Sequence, residues 1–391
     1  MVQERGSASV DRVTPGQDVV VIGGGIAGVS IGYELAAHRR VTVLETETSL
    51  AVHSTGRSAA IYVPGHGGPL VRPLINASGL RFASLADELG APALLRPRPV
   101  LWAAFDDAGE RELRANLAQR AGEPDVPVEL SPREALARCP ALRRDVLRAA
   151  AVIETAADID AMALHQAYVR GLRRRGGSVR VAAPVTGLAA VSGGWRVHCG
   201  AGDVLHATDV VNAAGAWADV VAALAGVPQL GLRPLRRTIV VARVPDPARL
   251  RTPGGGPLPM VVEAREHCYF KAEGDNLLLS PGDETPVEPG DVRPDPLDVA
   301  LALERVEAVT GLGLRSVQSS WSGLRSFVAD RAPVVGAWPG HPGFHFFAGQ
   351  GGSGIESAPA LAALGATVVL GDSPPRDVAL DPAALAPTRL D

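Results

Sequence analysis

Residues 18–28 read DVVVIGGGIAG, and residues 41–45, VTVLE, follow after one short helix length. Residues 18–22 form a continuously apolar, β-branched run, the pattern of a strand covered on both faces. The glycine motif Gly23-x-Gly25-x-x-Gly28 comes at once, and residues 26–37 then space their apolar side chains as a helix does. Residues 41–44 form a second buried strand, closed by Glu45. Strand, glycine turn, helix and strand make a βαβ unit. Glycines at these positions allow the tight turn, the close approach of a pyrophosphate and close packing of helix on strand. The helix N-terminus offers unpaired N–H groups and a positive dipole end to phosphates. Glu45 lies 22 residues after Gly23, where a carboxylate can accept from ribose hydroxyls and would repel a 2′-phosphate. The unit therefore binds a dinucleotide other than NADP. A bare glycine motif would not support that conclusion; the whole register does.

Composition bounds the rest. The 391 residues suffice for one large or two interleaved domains, and 46% hydrophobic against 20% charged residues is an ordinary globular balance. Thirty-eight basic and 42 acidic side chains leave a formal charge of −4, with no nucleic-acid footprint. Lys271 is the only lysine. Cys139, Cys199 and Cys268 form no C-x-x-C pair, which excludes a disulfide scaffold and a thiolate zinc site, and no metal site is expected. The opening segment is polar and the longest apolar runs are too short to span a bilayer, so a cytoplasmic protein is expected. Forty-four glycines exceed the roughly 7% of average usage without any collagen-like period, so they must be placed one by one.

Further elements follow. Residues 161–175 read as a helix, 195–199 and 204–207 as a hairpin, and 209–212 as a separate buried strand. Residues 236–243, 260–264, 267–271 and 276–280 read as antiparallel strands, 297–310 as a helix, and 344–348 as a last buried strand. Residues 349–355, GQGGSGI, would open the C-terminal helix as a second anion-friendly start, suited to the negative charge of a reduced flavin. Residues 53–60, HSTGRSAA, offer small residues for close backbone approach, and Arg57 could offset pyrophosphate charge; the same stretch also reads as an ordinary polar loop. In residues 235–243, LRRTIVVAR, strand alternation puts Arg237 on the apolar face with Leu235, Ile239 and Val241, and Arg236 on the other face with Thr238. An arginine so placed needs a partner, either a structural carboxylate or a substrate.

At this point the chain resembles the FAD-dependent amine and D-amino acid oxidoreductases. The resemblance rests on the glycine motif with Glu45, on HSTGRSAA, on VVNAAGAW at 210–217 and on GQGGSGI. Within that superfamily it is most similar to D-arginine dehydrogenase, through ADIDAMALHQAYVRGLRR at 157–174, LRRT at 235–238 and WSGLRSFVADRAPVVG at 321–336. The resemblance implies an α/β fold with a doubly wound FAD-binding domain (15–90, 151–228 and 325–391). An α+β substrate domain built on an antiparallel sheet (91–150 and 229–324) is interleaved with it. It implies non-covalent FAD, since the cysteine that carries flavin in sarcosine-type relatives is missing from residues 322–327. The cofactor would lie on Gly23, Gly25, Gly28, Glu45, Thr55, Arg57, Ser58, Ala59, Ala214, Gly215, Gly349, Gly351, Gly352, Gly354 and Ile355.

By the same resemblance Arg237 and Arg325 match carboxylate-binding arginines and Tyr269 a substrate-contacting tyrosine. Met260, Val262 and Gly323 match pocket positions. Four positions depart from the pattern. Ala91 stands where the acidic residue for a cationic side chain is expected, Ile61 replaces a pocket histidine, and His66 replaces a lid tyrosine in the Gly/Pro-rich stretch 64–69. Glu356 stands for a pocket glutamine. A guanidinium side chain would then lack its partner, which favours a neutral or apolar substrate. The expected activity is oxidation of the Cα–N bond of a D-amino acid by hydride transfer to flavin N5. The resulting imine would hydrolyse to a 2-oxo acid and ammonia. The alternatives are a secondary or cyclic amine acid as substrate, or a flavoprotein redox module serving a partner.

Overall fold

The structure, a computed structural model, describes residues 17–123 and 125–390; the polar opening read as lacking a leader lies outside them. Strand Gln17–Ile22 is central because Val19, Val20 and Val21 lose all contact with solvent. It pairs in parallel with Val41–Leu44 on one side and with Asp203–Asn212 on the other. Parallel neighbours need a crossover, and helix Ile26–Leu35 supplies it. In space the first sheet runs 185–191, 194–199, 203–212, 17–22, 41–44, 178–180. Strands Val334–Ala337 and Phe344–Ala348 join it through the C-terminal half of Asp203–Asn212.

Residues 203–212 form one strand where the sequence reading has two. The polar pair Thr208 and Asp209 looks like an interruption, but each has a partner along the sheet. The Thr208 hydroxyl donates to the Asp18 carbonyl at 2.7 Å, and Asp209 pairs with His345 at 3.0 Å.

Helices Ile26–Leu35, Ala161–Arg174 and Ala358–Leu370 cover one face of this sheet, with Arg72–Leu89 packed on them in a shared apolar core. The opposite face buries Trp195, Val210, Phe344 and Phe346 beneath helix Ala218–Leu224.

A second, nine-stranded sheet runs 285–286, 233–243, 276–280, 269–273, 260–263, 100–104, 149–153, 128–130, with Ser316–Phe327 also paired to Arg233–Arg243. It is antiparallel except where Met260–Glu263 runs parallel to Val100–Ala104. Strand Ala149–Ile153 belongs wholly to it and so crosses the expected boundary at 150/151; Ser316–Phe327 likewise crosses 324/325. A three-stranded sheet of 61–62, 157–159 and 95–97 lies apart from the other two. No helix among the described residues is long and apolar enough to cross a membrane.

Candidate active site

At the end of strand Gln17–Ile22 the chain turns through Gly23 at φ +113°, where a Cβ would come within 2.4 Å of the Ala213 carbonyl oxygen. At Gly28 a Cβ would lie 1.8 Å from the Gly23 carbonyl oxygen, so the helix can pack on the turn only because both residues are glycine. No side chain caps the helix at Gly25; the Ile26 N–H donates to Thr55 Oγ1 at 3.0 Å. Glu45 accepts from the Gly24 N–H at 2.8 Å and from the Glu47 N–H at 2.9 Å. Buried His165, on helix Ala161–Arg174, donates from Nε2 to the Gly24 carbonyl at 2.9 Å. Burial holds its imidazole below the ordinary range despite that bond and nearby Glu45. Its position on an apolar helix face gave no sequence signal for this role.

The turn opens into a cavity of about 380 Å³. Every expected cofactor residue except Gly28 and Gly349 lines it, from Gly23, Gly25 and Glu45 through Thr55, Ser58 and Ala59 to Ala214, Gly215 and Ile355. Gly28 sits behind the turn, and Gly349 takes φ +73° at the end of the last strand. Gly351 and Gly352 belong to the wall because a Cβ would lie 2.1 Å from the Phe327 ring at the first and 3.1 Å from the Arg325 guanidinium at the second.

The second anion site differs from expectation. Its helix starts only at Ala358, with Ser357 before it, so residues 349–354 form a separate turn. Arg57 also differs. Its guanidinium donates to Asp291 at 2.5 Å and to the carbonyls of Ser322 and Val52 at 3.0 Å, strapping loop to sheet instead of standing ready for phosphate.

The substrate side is built by register. Arg237 faces Gly323 across the paired strands and Leu235 faces Arg325, so both arginines project from one face of the sheet as diagonal neighbours. A Cβ at Gly323 would meet the Arg57 Cβ at 3.4 Å. Arg237, Arg325, Tyr269 and Gly323 all line the cavity. Arg237 is 5% exposed and already engaged: Nε donates to the Asp283 carbonyl at 2.7 Å, and Nη2 lies 3.3 Å from Glu284. Arg325 has no hydrogen bond or ion pair among the described residues. Burial, then the Arg237 charge, push its guanidinium below its ordinary range, and Tyr269, Glu266 and Glu284 offset this only in part.

The remaining pocket candidates do not line this cavity. Met260, Val262 and Ile61 pack in a cluster with Ile239 and Tyr269, one layer behind its wall. Ala91 follows the end of helix Arg72–Leu89 and packs on the core of the first sheet, so its lack of charge does not shape the cavity. His66 reads from sequence as a solvated loop residue but is paired, Nδ1 lying 2.7 Å from Glu356. Burial alone would lower His66; the Glu356 carboxylate outweighs it and raises the imidazole above its ordinary range. Glu356 is 4% exposed and also accepts from the Val63 N–H, so it does not meet an amine in the cavity.

The expected mobile lid is strapped residue by residue. Pro64 accepts from Arg120, Gly65 donates to Asn76, and Gly67 accepts from Arg72. Lys271, the single lysine, is buried against the Ala59 carbonyl at 2.9 Å and Asp158 at 2.8 Å, behind the cavity wall.

These donors fit a flavin dinucleotide. The wall at Gly25 and Gly215 is open where a side chain would intrude, the helix start lacks a cap, and Glu45 keeps acceptor capacity beyond its two backbone bonds. All three cysteines are buried and none lines the cavity.

Comparison with known proteins agrees. A glycine oxidase of Geobacillus kaustophilus (strain HTA426) is 28% identical over 361 residues, covering 90% of this chain and 92% of the relative. The crystal structure of glycine oxidase from Geobacillus kaustophilus superposes with a TM-score of 0.84 at 26% identity, over 96% of this chain and 99% of that one. Mitochondrial dimethylglycine dehydrogenase of Rattus norvegicus is 26% identical over 266 residues, 68% of this chain but 30% of the longer relative. The DAO family, FAD dependent oxidoreductase, matches residues 18–367, and the chain belongs to that family: it is an FAD-dependent oxidoreductase.

Proposed function

We propose that the protein oxidises the Cα–N bond of a D-amino acid with a neutral or apolar side chain. The product imine, having lost two electrons and two protons, hydrolyses to a 2-oxo acid and ammonia. The observation that carries this reading is Arg325, a half-buried guanidinium without a partner among the described residues, on the wall of a cavity that begins at the dinucleotide turn. A carboxylate is the ligand that satisfies such a group, through two parallel N–H···O bonds. FAD, when bound, supplies the two-electron acceptor. Arg325 and Arg237 would hold the substrate carboxylate, the Tyr269 hydroxyl would add a bond, and its ring with Ile239 would exclude water from Cα. No side chain must accept a Cα proton, because that hydrogen leaves with its electron pair. The sheet of residues 17–22 would serve as the FAD-binding unit and the nine-stranded sheet as the substrate unit.

A second reading, oxidation of a secondary or cyclic amine acid, draws support from the similarity to dimethylglycine dehydrogenase only in that its named substrate is an N-substituted amino acid. Anaerobic mixing with a panel of D-, L- and cyclic amino acids separates these readings. Bleaching of the flavin band by D-amino acids supports the first, and bleaching by cyclic amines alone selects the second. If nothing bleaches it, the protein is a redox module for a partner. Repeating the panel in air tells oxidase from dehydrogenase.

A further inference from the structure

Glu284 takes part in no step described so far, yet it sits between two arginines. Its Oε1 lies 3.3 Å from Arg237 Nη2 and 2.8 Å from Arg331 Nη2, and its Oε2 lies 3.1 Å from Arg331 Nη1. Arg331 is half-exposed and lies over the Phe327 ring at 3.7 Å, beneath the Gly351 turn. Burial would raise the Glu284 carboxyl, but the Arg331 pair, with Arg237 and Arg325, outweighs burial and keeps it ionised. Arg237 is thus locked on two sides, Nε on the Asp283 carbonyl and Nη2 on Glu284, and its charge is offset in part by a carboxylate that it shares with Arg331. Arg325 alone remains unmatched.

We infer that Glu284 is a specificity-determining residue that sets the charge class of the substrate: it offsets the charge of Arg237, so the site favours one carboxylate and disfavours a second negative group. This rests on the carboxylate reading of Arg325 given above. Two diagonal guanidinia without Glu284 would suit a dicarboxylate. With it, the second anionic group of such a ligand meets an Arg237 whose charge a neighbouring carboxylate already offsets, which weakens the attraction by tenfold or more, on the order of the Coulomb energy at an effective dielectric of ~20.

The test uses the flavin-loaded enzyme and two simple probes, acetate and malonate, titrated by perturbation of the flavin absorbance band. Wild type is expected to bind malonate no more tightly than acetate. Glu284→Gln should raise malonate affinity relative to acetate at least tenfold, and Glu284→Asp, which keeps the charge, should retain the wild-type ratio. An unchanged ratio in Glu284→Gln overturns the inference, as does Glu284→Asp behaving like Glu284→Gln. Tenfold tighter binding of malonate by wild type overturns it without any variant. Arg325→Met separates the two levels: if it abolishes perturbation by both probes, the carboxylate reading stands whatever Glu284 does. If it leaves both titrations intact, that reading falls and this inference with it.

Discussion

Replacing Arg325 by methionine separates function from stability more sharply than any other change to this cavity. The methionine keeps most of the side-chain stem and removes a guanidinium that has no partner among the described residues. A carboxylate held by two charge-assisted bonds, each worth about 1.5–3 kcal/mol, would lose them. Arg237 still offers its own charge, and the cavity admits water, so the net loss is taken as about 3–4 kcal/mol. At about 1.4 kcal/mol per decade this is a fall of roughly 10²–10³ in kcat/KM. Stability should move the other way or not at all, because a half-buried, unpaired charge repelled by Arg237 costs free energy that methionine does not. The melting temperature should hold or rise by roughly a degree or two. Anaerobic stopped-flow reduction with the amino acid panel reads the first quantity and thermal melting the second. A kcat/KM within about threefold of wild type would refute the reasoning. So would a melting temperature lower by more than about 5 °C, which would mean that Arg325 is a structural member of the fold.

Gly28→Ala places a methyl 1.8 Å from the Gly23 carbonyl oxygen, so the helix must move off the turn. Destabilisation of about 1–3 kcal/mol and protein purified largely without flavin are expected, read from melting and from the flavin-to-protein absorbance ratio. His165→Leu leaves the buried Gly24 carbonyl without its donor, a cost of about 1–3 kcal/mol expected to weaken FAD binding about tenfold or more by fluorescence titration. Because the folded His165 lies below the ordinary value of 6.5, its contribution is present above that pH and lost as pH falls through it. The melting temperature of wild type should therefore fall on acidification more steeply than that of the leucine variant. Glu356→Gln keeps the bond from the Val63 N–H but removes the charge that raises His66. A raised histidine stabilises most fully below 6.5 and loses that contribution as pH climbs through its folded value. The melting-temperature gap between wild type and variant should be widest on the acid side and close toward alkaline pH.

Much of the dinucleotide half is legible in the linear chain because its signals are local. A continuously apolar strand, glycines at 23, 25 and 28 and an acid at 45 are each imposed by atoms a few residues away: the Gly23 carbonyl against Gly28, the Gly24 N–H against Glu45. The alternation that turns Arg237 inward is local too, and the structure places Arg237, Ile239 and Arg325 on the one face that strand geometry requires. Reading fails where a residue's role depends on what the fold brings beside it. Arg57 looks free in sequence and is bound by Asp291, 234 positions away. His66 looks solvated and is paired with Glu356, 290 positions away. The stretch 64–69 looks mobile because glycine and proline say nothing of Arg72, Asn76 and Arg120.

Ala91 is the instructive miss. Its missing carboxylate argued for a neutral substrate, but packing carries it to the core of the other sheet, and the charge that bears on the question sits on Glu284. By itself the chain determined that a dinucleotide is bound and which strand face points at the ligand, since both follow from backbone sterics and strand period. Only the tertiary structure decided which arginine already has protein partners and which has none among the described residues, because charge pairing is settled by distances across the fold and not along the chain.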